Sequence, residues 1–403
     1  MTWIRRYRWP AAAALVAAAV AWPALHGLAL PSAASAPLRP NAAVSTPAAA
    51  VAGGPAYTLD EALRQAEDDS LQLQLARVQV DRAQLNYEYT LDITRNWGSD
   101  VVRVLQMRYN VSSIWPVSPD DRAQDTLRHT AAMGLDQAKL GLDQAHQAAR
   151  LAITRAYLEW QKATALAQAQ EEALARAKAQ EASASVGIQA GTASRYDLLA
   201  AQAQVGAMQA ALTAARSGKE SARLALERLV GVPMDPTAQP AADLPGPEAA
   251  AALPQADSLV AEALKQRPEA AIARLSQAMK KEDLDLLTHD FDSGTIILSN
   301  AQIAAREADL QVQAAEADAA LQVRQALLAA ASAADRLKAL QGAEDQAREA
   351  LRLAHLRFDA GLATTTEVLG AQSALSQATA SRIQAAADLA GALADIQRAA
   401  GRR

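Results

Sequence analysis

Apolar residues recur every seven positions along two stretches of this chain. In the first, Leu198, Val205, Leu212 and Leu226 share a seam that Lys219 interrupts, and Ala201, Met208, Ala215, Ala222 and Leu229 follow three residues on. In the second, Val368, Leu375, Leu389 and Ile396 share a seam that Arg382 interrupts, and Ala371, Ala378, Ala385, Ala392 and Ala399 follow three residues on. A sustained heptad period predicts helices wound in a left-handed supercoil. A seam of alanines lets neighbouring helix axes approach more closely than leucine would. The two stretches are one design written twice: Gly191 and Gly361 lie 170 positions apart, and so do Gly231 and Gly401, Asp197 and Glu367, and Gln202 and Gln372. The chain is a tandem duplication.

The rest of the pattern extends each copy into a longer unit. Thr58 and Glu61 form a capping box ahead of Leu59, Ala66, Leu73 and Val80, which predicts a helix from Tyr57 to about Leu85. The period then changes to two: Tyr87, Tyr89, Leu91 and Ile93 alternate with polar residues, and after Asn96-Trp97-Gly98-Ser99-Asp100 so do Leu105, Met107, Tyr109 and Val111. Alternation on both sides of such a turn predicts a β-hairpin over about 87–112. Helical periodicity resumes from Arg122 to about Val186, and in the second copy from about Ala301 to Asp359. Helices of that length, roughly 90–100 Å at 1.5 Å per residue, need a packing partner throughout. Each is expected to break at its glycines, Gly187 with Gly191 and Gly361 alone, and to turn back into its heptad helix.

The prediction is a mainly α protein of two tandem repeats of long antiparallel coiled-coil hairpins with short β segments. The first repeat spans 57–231 and the second 257–401. Between them, 232–256 carries six prolines and reads as an extended connector. Asp257 or Ser258 is the expected cap of the next helix. The second β segment, about 288–299, is reduced to Thr295-Ile296-Ile297-Leu298 behind a turn-like Asp290 to Gly294.

Composition narrows the chemistry. The chain is 51% hydrophobic but only 4% aromatic, so alanine rather than aromatic bulk fills its contacts. A net charge of −5 lacks the basic face of a nucleic-acid binder. The absence of Cys excludes disulfides, thiolate metal sites and cysteine nucleophiles. The five His residues show no metal-ligand spacing, and neither a phosphate-binding glycine loop nor a nucleophile elbow occurs, so no cofactor and no enzymatic activity are expected. His289 beside Asp290 and Asp292 reads as a polar turn. Lys219 and Arg382 either set the helix register as buried polar residues or extend their stems to solvent.

Residues 1–36 have the layout of a secretory signal peptide: Arg5, Arg6 and Arg8, an apolar run from Pro10 to Leu30, then small residues at Ser32 to Ala36. The alternative is an uncleaved anchor, since about 20 apolar residues span a bilayer. Either places the bulk of the protein outside the cytoplasm. Residues 37–56, rich in proline and alanine, read as a tether.

These features together resemble the outer-membrane efflux proteins of the TolC type. The motifs that carry the resemblance are Phe358-Asp359-Ala360-Gly361-Leu362-Ala363-Thr364 with Glu367-Val368-Leu369 and Ala371-Gln372. They are echoed by Ala190-Gly191-Thr192 with Asp197-Leu198-Leu199 and Ala201-Gln202, and joined by the Arg267-Pro268-Glu269 start of the second half. The resemblance implies a homotrimer forming a twelve-helix periplasmic tunnel and a twelve-strand outer-membrane barrel, working with a periplasmic adaptor and an inner-membrane pump. It implies that Gly187, Gly191, Thr192, Gly361, Leu362 and Thr364 form the tip turns that dock the adaptor. It also implies that Asp197 and Glu367 line the tunnel constriction. The other reading of those two acids is that they complement helix dipoles.

The chain departs from that family in its β segments, which reach membrane-spanning length only in the first repeat. Three readings follow: an envelope efflux duct, a barrel-less coiled-coil spacer, and a membrane-fusion adaptor. The third ranks last, because an adaptor has one hairpin between β-rich halves.

Overall fold

A computed structural model describes residues 56–95, 121–189, 194–241, 243–250, 255–290 and 295–402, all within one compact unit. The expected leader 1–36 and tether residues 37–55 lie outside the described residues. In order, the elements are β1 (Ala56–Tyr57), α1 (Leu59–Asp69), α2 (Leu71–Arg95), α3 (Asp121–Gln189) and α4 (Arg195–Val230). They continue with β2 (Gln239–Pro240), a 3-10 turn (Pro247–Ala250), α5 (Ala256–Gln266), α6 (Pro268–Asp290), α7 (Ile296–Asp359) and α8 (Thr365–Ala399). The chain is mainly α, as its periodicity predicts.

Each repeat pairs one long helix with two shorter ones laid end to end. In the first, α4 ends at Gly231 (φ +89°), where a Cβ would lie 2.6 Å from the Asp69 carbonyl oxygen. That contact places the end of α4 against the α1–α2 junction, so α2 continues the line of α4. In the second, a Cβ on Gly401 (φ +76°) would lie 3.1 Å from the Arg267 nitrogen, and α6 continues the line of α8. The junctions themselves are sharp kinks at Ser70 and Arg267, whose extended backbones (ψ 121° and 127°) interrupt the helix. Pro268 explains the second kink: it keeps Arg267 out of the α region and then serves as the first residue of α6.

Two equivalent cores hold these arrangements. Ala62, Ala66, Ile153, Trp160, Leu226 and Val230 cluster in the first repeat; Leu259, Ala263, Val323, Ala330, Ile396 and Ala400 take the corresponding places in the second. The first core is additionally pinned by the connector. β1 pairs in parallel with β2, the Tyr157 hydroxyl donates to the Tyr57 carbonyl oxygen at 2.9 Å, and Ala241 N–H donates to the Tyr157 hydroxyl at 3.2 Å. The Tyr57 hydroxyl donates to Gln65 at 2.6 Å, and burial beside the Glu61 charge pushes its pKa up to about 12.

Side by side, the α4–α2 line packs on α3, α3 packs on the α8–α6 line, and that line packs on α7. This sheet of helices has two open edges, the α4–α2 line at one and α7 at the other.

Several expectations are corrected. Residues 87–95, expected to begin a β-hairpin, form the last turns of α2. Their inward face is Tyr87, Thr90, Leu91 and buried Thr94, a helical spacing. Arg128 of α3 donates to the Thr94 hydroxyl at 2.8 Å and fastens that end. The remainder of that hairpin, 96–112, lies outside the described residues. Thr295 to Leu298 is not a strand either: Thr295 caps α7 by accepting from Leu298 N–H at 3.3 Å, and α6 is helical to Asp290. Gln255, rather than Asp257 or Ser258, is the cap residue of α5, with no side-chain bond. Lys219 and Arg382 do not simply reach solvent. Lys219 donates to Gln239 of the connector at 2.8 Å, and Arg382 pairs with the buried carboxylate of Glu344.

Candidate functional site: the hairpin tips

The site lies where each hairpin turns back into its heptad helix, which starts with a hydroxyl cap, Ser194 in the first and Thr364 in the second. At the end of α7, Gly361 N–H donates to the Phe358 carbonyl (2.9 Å) and Leu362 N–H to the Arg357 carbonyl (2.7 Å). Those two bonds are a Schellman cap, which requires the left-handed backbone that Gly361 supplies at φ +71°. Thr364 then starts α8 by accepting from Glu367 N–H at 3.3 Å. Only Gly361, Leu362 and Ala363 separate the two caps, so the reversal is tight.

At the first tip, Gly187 remains helical in the last turn of α3, so the break comes after Gln189 rather than at Gly187. Gly191 and Thr192 lie outside the described residues. Ser194 and Asp197 form a reciprocal capping box: Asp197 N–H donates to the Ser194 hydroxyl at 3.2 Å, and Ser194 N–H donates to Asp197 Oδ2 at 2.9 Å.

The two acids differ in their partners. Hydrogen bonds from the Ser194 hydroxyl and backbone, then from the Thr365 hydroxyl, hold the Asp197 carboxyl below the usual carboxylate range. Thr365 is buried on α8, so this last contact ties the first hairpin to the second at their tips. Glu367 instead faces Arg357 of its own hairpin at 3.7 Å. Leu362 and, on the first hairpin, Val186, Tyr196 and Leu199 are exposed around the turns. Behind the second tip, Leu351, Val368 and Leu375 close a small core with Phe358. The described residues of the tips therefore form an apolar-edged surface with two carboxylates.

Sequence reasoning singled out the acids and glycines but missed Ser194, Arg357 and Thr365. Ser194 and Thr364, each three residues before an acid, carry the capping-box signal. Thr365 carries none, because its role comes from the packing of α8 against α4.

Higher up the seam between the hairpins, a polar crevice of about 630 Å³ is lined by Thr164, Glu172 and Arg176 of α3 and by Glu344, Arg348 and Arg382 of the second hairpin. Arg155 of α3 reaches Asp395 of α8 at 2.7 Å beyond it. Polar contacts thus join the hairpins at more than one level of the seam.

This arrangement of duplicated, kinked hairpins is the fold of outer-membrane channels. The chain is similar to the outer-membrane channel OprN (17% identity, TM-score 0.67), with 86% of this chain and 90% of that one covered. It is similar to the open state of the Neisseria gonorrhoeae MtrE outer membrane channel (17%, TM-score 0.65, 85% and 89% covered). It is also similar to the Campylobacter jejuni CmeC outer membrane channel (15%, TM-score 0.63, 85% and 85% covered). No curated protein sequence matches the chain. Residues 291–402 match the sequence profile of the outer membrane efflux protein family. The resemblance to outer-membrane efflux proteins is borne out, in sequence over most of the second repeat and in fold over the chain.

Proposed function

We propose that the chain is one subunit of a homotrimeric helical duct of the cell envelope. It would pass small molecules or secreted products together with an inner-membrane pump and a periplasmic adaptor that docks on the tips. It carries out no bond chemistry, and its mechanism is gating. The second hairpin swings against the first, and the Asp197 to Thr365 contact is the link that must release at the tip.

The observation that carries this reading is the pair of open edges. On α2, Leu71, Leu75, Val78, Leu85 and Tyr89 form an exposed stripe at alternating spacings of three, four and seven. On α7, Ile296, Ile303 and Leu310, then Leu321 and Leu328, are exposed at spacings of seven. Among the described residues both are coiled-coil seams without a partner. They lie on opposite edges, so the other edge of a second copy can cover each. Such a head-to-tail contact closes into a ring or propagates without limit. Four helices per level, with the twelve-helix ring that the family resemblance implies, give three copies.

The chain has no native Cys, so the edges can be tested directly. Counting down from the ends of α2 and α7, Val78 and Leu310 lie at similar depth on opposite edges. A chain carrying Val78→Cys and Leu310→Cys is expected to oxidise to covalent dimers and a closed trimer on a denaturing gel. Products running beyond the trimer would overturn the ring, and an unlinked monomer would overturn the edge pairing. The spacer reading draws support from the short α6–α7 link.

A further inference from the structure

We infer that this chain makes no water-filled pore through a membrane by itself, so that its helical duct ends at the membrane and needs a separate pore-forming component. The count of strands below rests on the trimeric reading.

α6 runs to Asp290 and α7 starts at Ile296, which leaves five residues, 291–295, and Thr295 is already committed as the cap of α7. A membrane-spanning strand needs about 9–11 residues. The second repeat therefore contributes no membrane strand. In the first repeat, α2 is helical to Arg95 and α3 starts at Asp121, leaving the 25 residues 96–120. That length admits at most two such strands.

No other stretch between Ala56 and Arg402 substitutes for them. The α3–α4 and α7–α8 links, 190–194 and 360–364, have five residues each. The connector is long enough but is used elsewhere: Met234 and Ala238 are buried in the first core, and Leu244 packs on a core of the second hairpin. The two inter-helix links also stand at one level. His129, eight residues below the start of α3, contacts Glu282, eight residues before the end of α6, at 2.6 Å. One end of the molecule thus carries a 25-residue link beside a five-residue link, where a standard subunit of this fold would carry two strands from each.

Three copies then offer at most six strands. Barrels of about eight strands already have interiors filled by side chains, and open channels need considerably more. Six strands cannot enclose an aqueous channel. Around the same end, Ile296 is 79% exposed and Ile297 about half exposed, so the start of α7 presents apolar side chains.

The test uses the chain from Leu38 onward. Its mass is measured by light scattering without detergent, and the same preparation is added to planar lipid bilayers and to dye-loaded vesicles. The expected result is a trimer, current at the level of the bare bilayer, and dye release no faster than from protein-free vesicles. Stable unitary channels or rapid dye release would overturn the inference whatever the oligomeric state. A monomer without conductance would leave the inference standing and overturn the trimeric ring, so the two failures are distinguishable.

Discussion

The two repeats use the same backbone plan with different interiors. At the core position where the first repeat places Trp160, the second places Ala330; where the first buries Leu174 and Leu212, the second pairs Glu344 with Arg382. Each pair of positions is 170 apart, so the substitutions occur at equivalent contacts. The difference follows the neighbours. The first core must also hold β1, β2 and the connector, and a large ring with Tyr57 and Tyr157 edge-on to it (centroids 6.4 and 6.0 Å away) fills that volume. The second core has no such strand to hold, and alanine lets α7 and its partners close directly. Duplication preserved the helix geometry while the contents of each contact were set locally.

The largest effect should come from emptying the first core. Trp160 is 0% exposed, and Trp160→Ala is expected to cost about 3–5 kcal/mol, as for other buried aromatic truncations. At the equivalent place, Ala330→Gly should cost only about 1 kcal/mol through helix propensity. Urea unfolding followed by circular dichroism measures both. Equal losses would show that the two cores are energetically alike and would remove the comparison.

The second contrast is ionic against apolar. Glu344 is 5% exposed and accepts from Arg382, from Arg348 at 2.9 Å and from Thr379 at 3.1 Å. Glu344→Leu leaves Arg382 beside an apolar contact. Because that guanidinium keeps solvent access, the loss should fall below the ~3–5 kcal/mol of a fully buried pair. The double change Glu344→Leu with Arg382→Leu copies the two buried leucines, Leu174 and Leu212, that the first repeat carries at these positions. It should be neutral or more stable by about 1–4 kcal/mol, since neither charge is then desolvated. A double variant weaker than the single one would mean that the ion pair is required for the packing itself.

Much of this was legible in the sequence because it is periodic. The heptad seams ending at Gly231 and Gly401 marked α4 and α8, and the 170-residue offset marked the two hairpins. What failed was the short alternation at Tyr87 to Ile93. Seven alternating residues at a helix end also satisfy a helical face, and the contact of Thr94 with Arg128 of α3 selects the helix. Thr295 to Leu298 failed for a related reason: two consecutive isoleucines suggest a strand, but a threonine cap immediately before them starts a helix. The kink at Ser70 carries no signal, whereas its counterpart at Arg267 is marked by Pro268. Contacts between hairpins, such as Asp197 with Thr365, depend on which helices become neighbours, and periodicity within one helix does not contain that.

The smallest effect separates the two tips. Asp197→Ala removes the carboxylate arm of the first capping box while the Ser194 hydroxyl still accepts from the residue-197 N–H, and is expected to destabilise the start of α4 by about 1 kcal/mol. Near 1 kcal/mol, amide exchange there should accelerate about fivefold. Because the same carboxylate accepts from Thr365, exchange at the start of α8 should rise with it. Glu367→Ala leaves Thr364 still capping α8 and removes only the exposed contact with Arg357, so α4 should be unaffected. Acid provides the same comparison without mutation. The folded pKa of Asp197 is lowered, so its contribution is complete above the ordinary carboxylate value of about 4 and is lost as pH falls below it through the lowered value. A protonated carboxyl no longer holds the Ser194 N–H firmly, and the first tip should loosen in acid together with the start of α8. Hydrogen exchange that changed at α4 alone would show that the two tips are not coupled through this residue, and that gating does not pass through the contact between them.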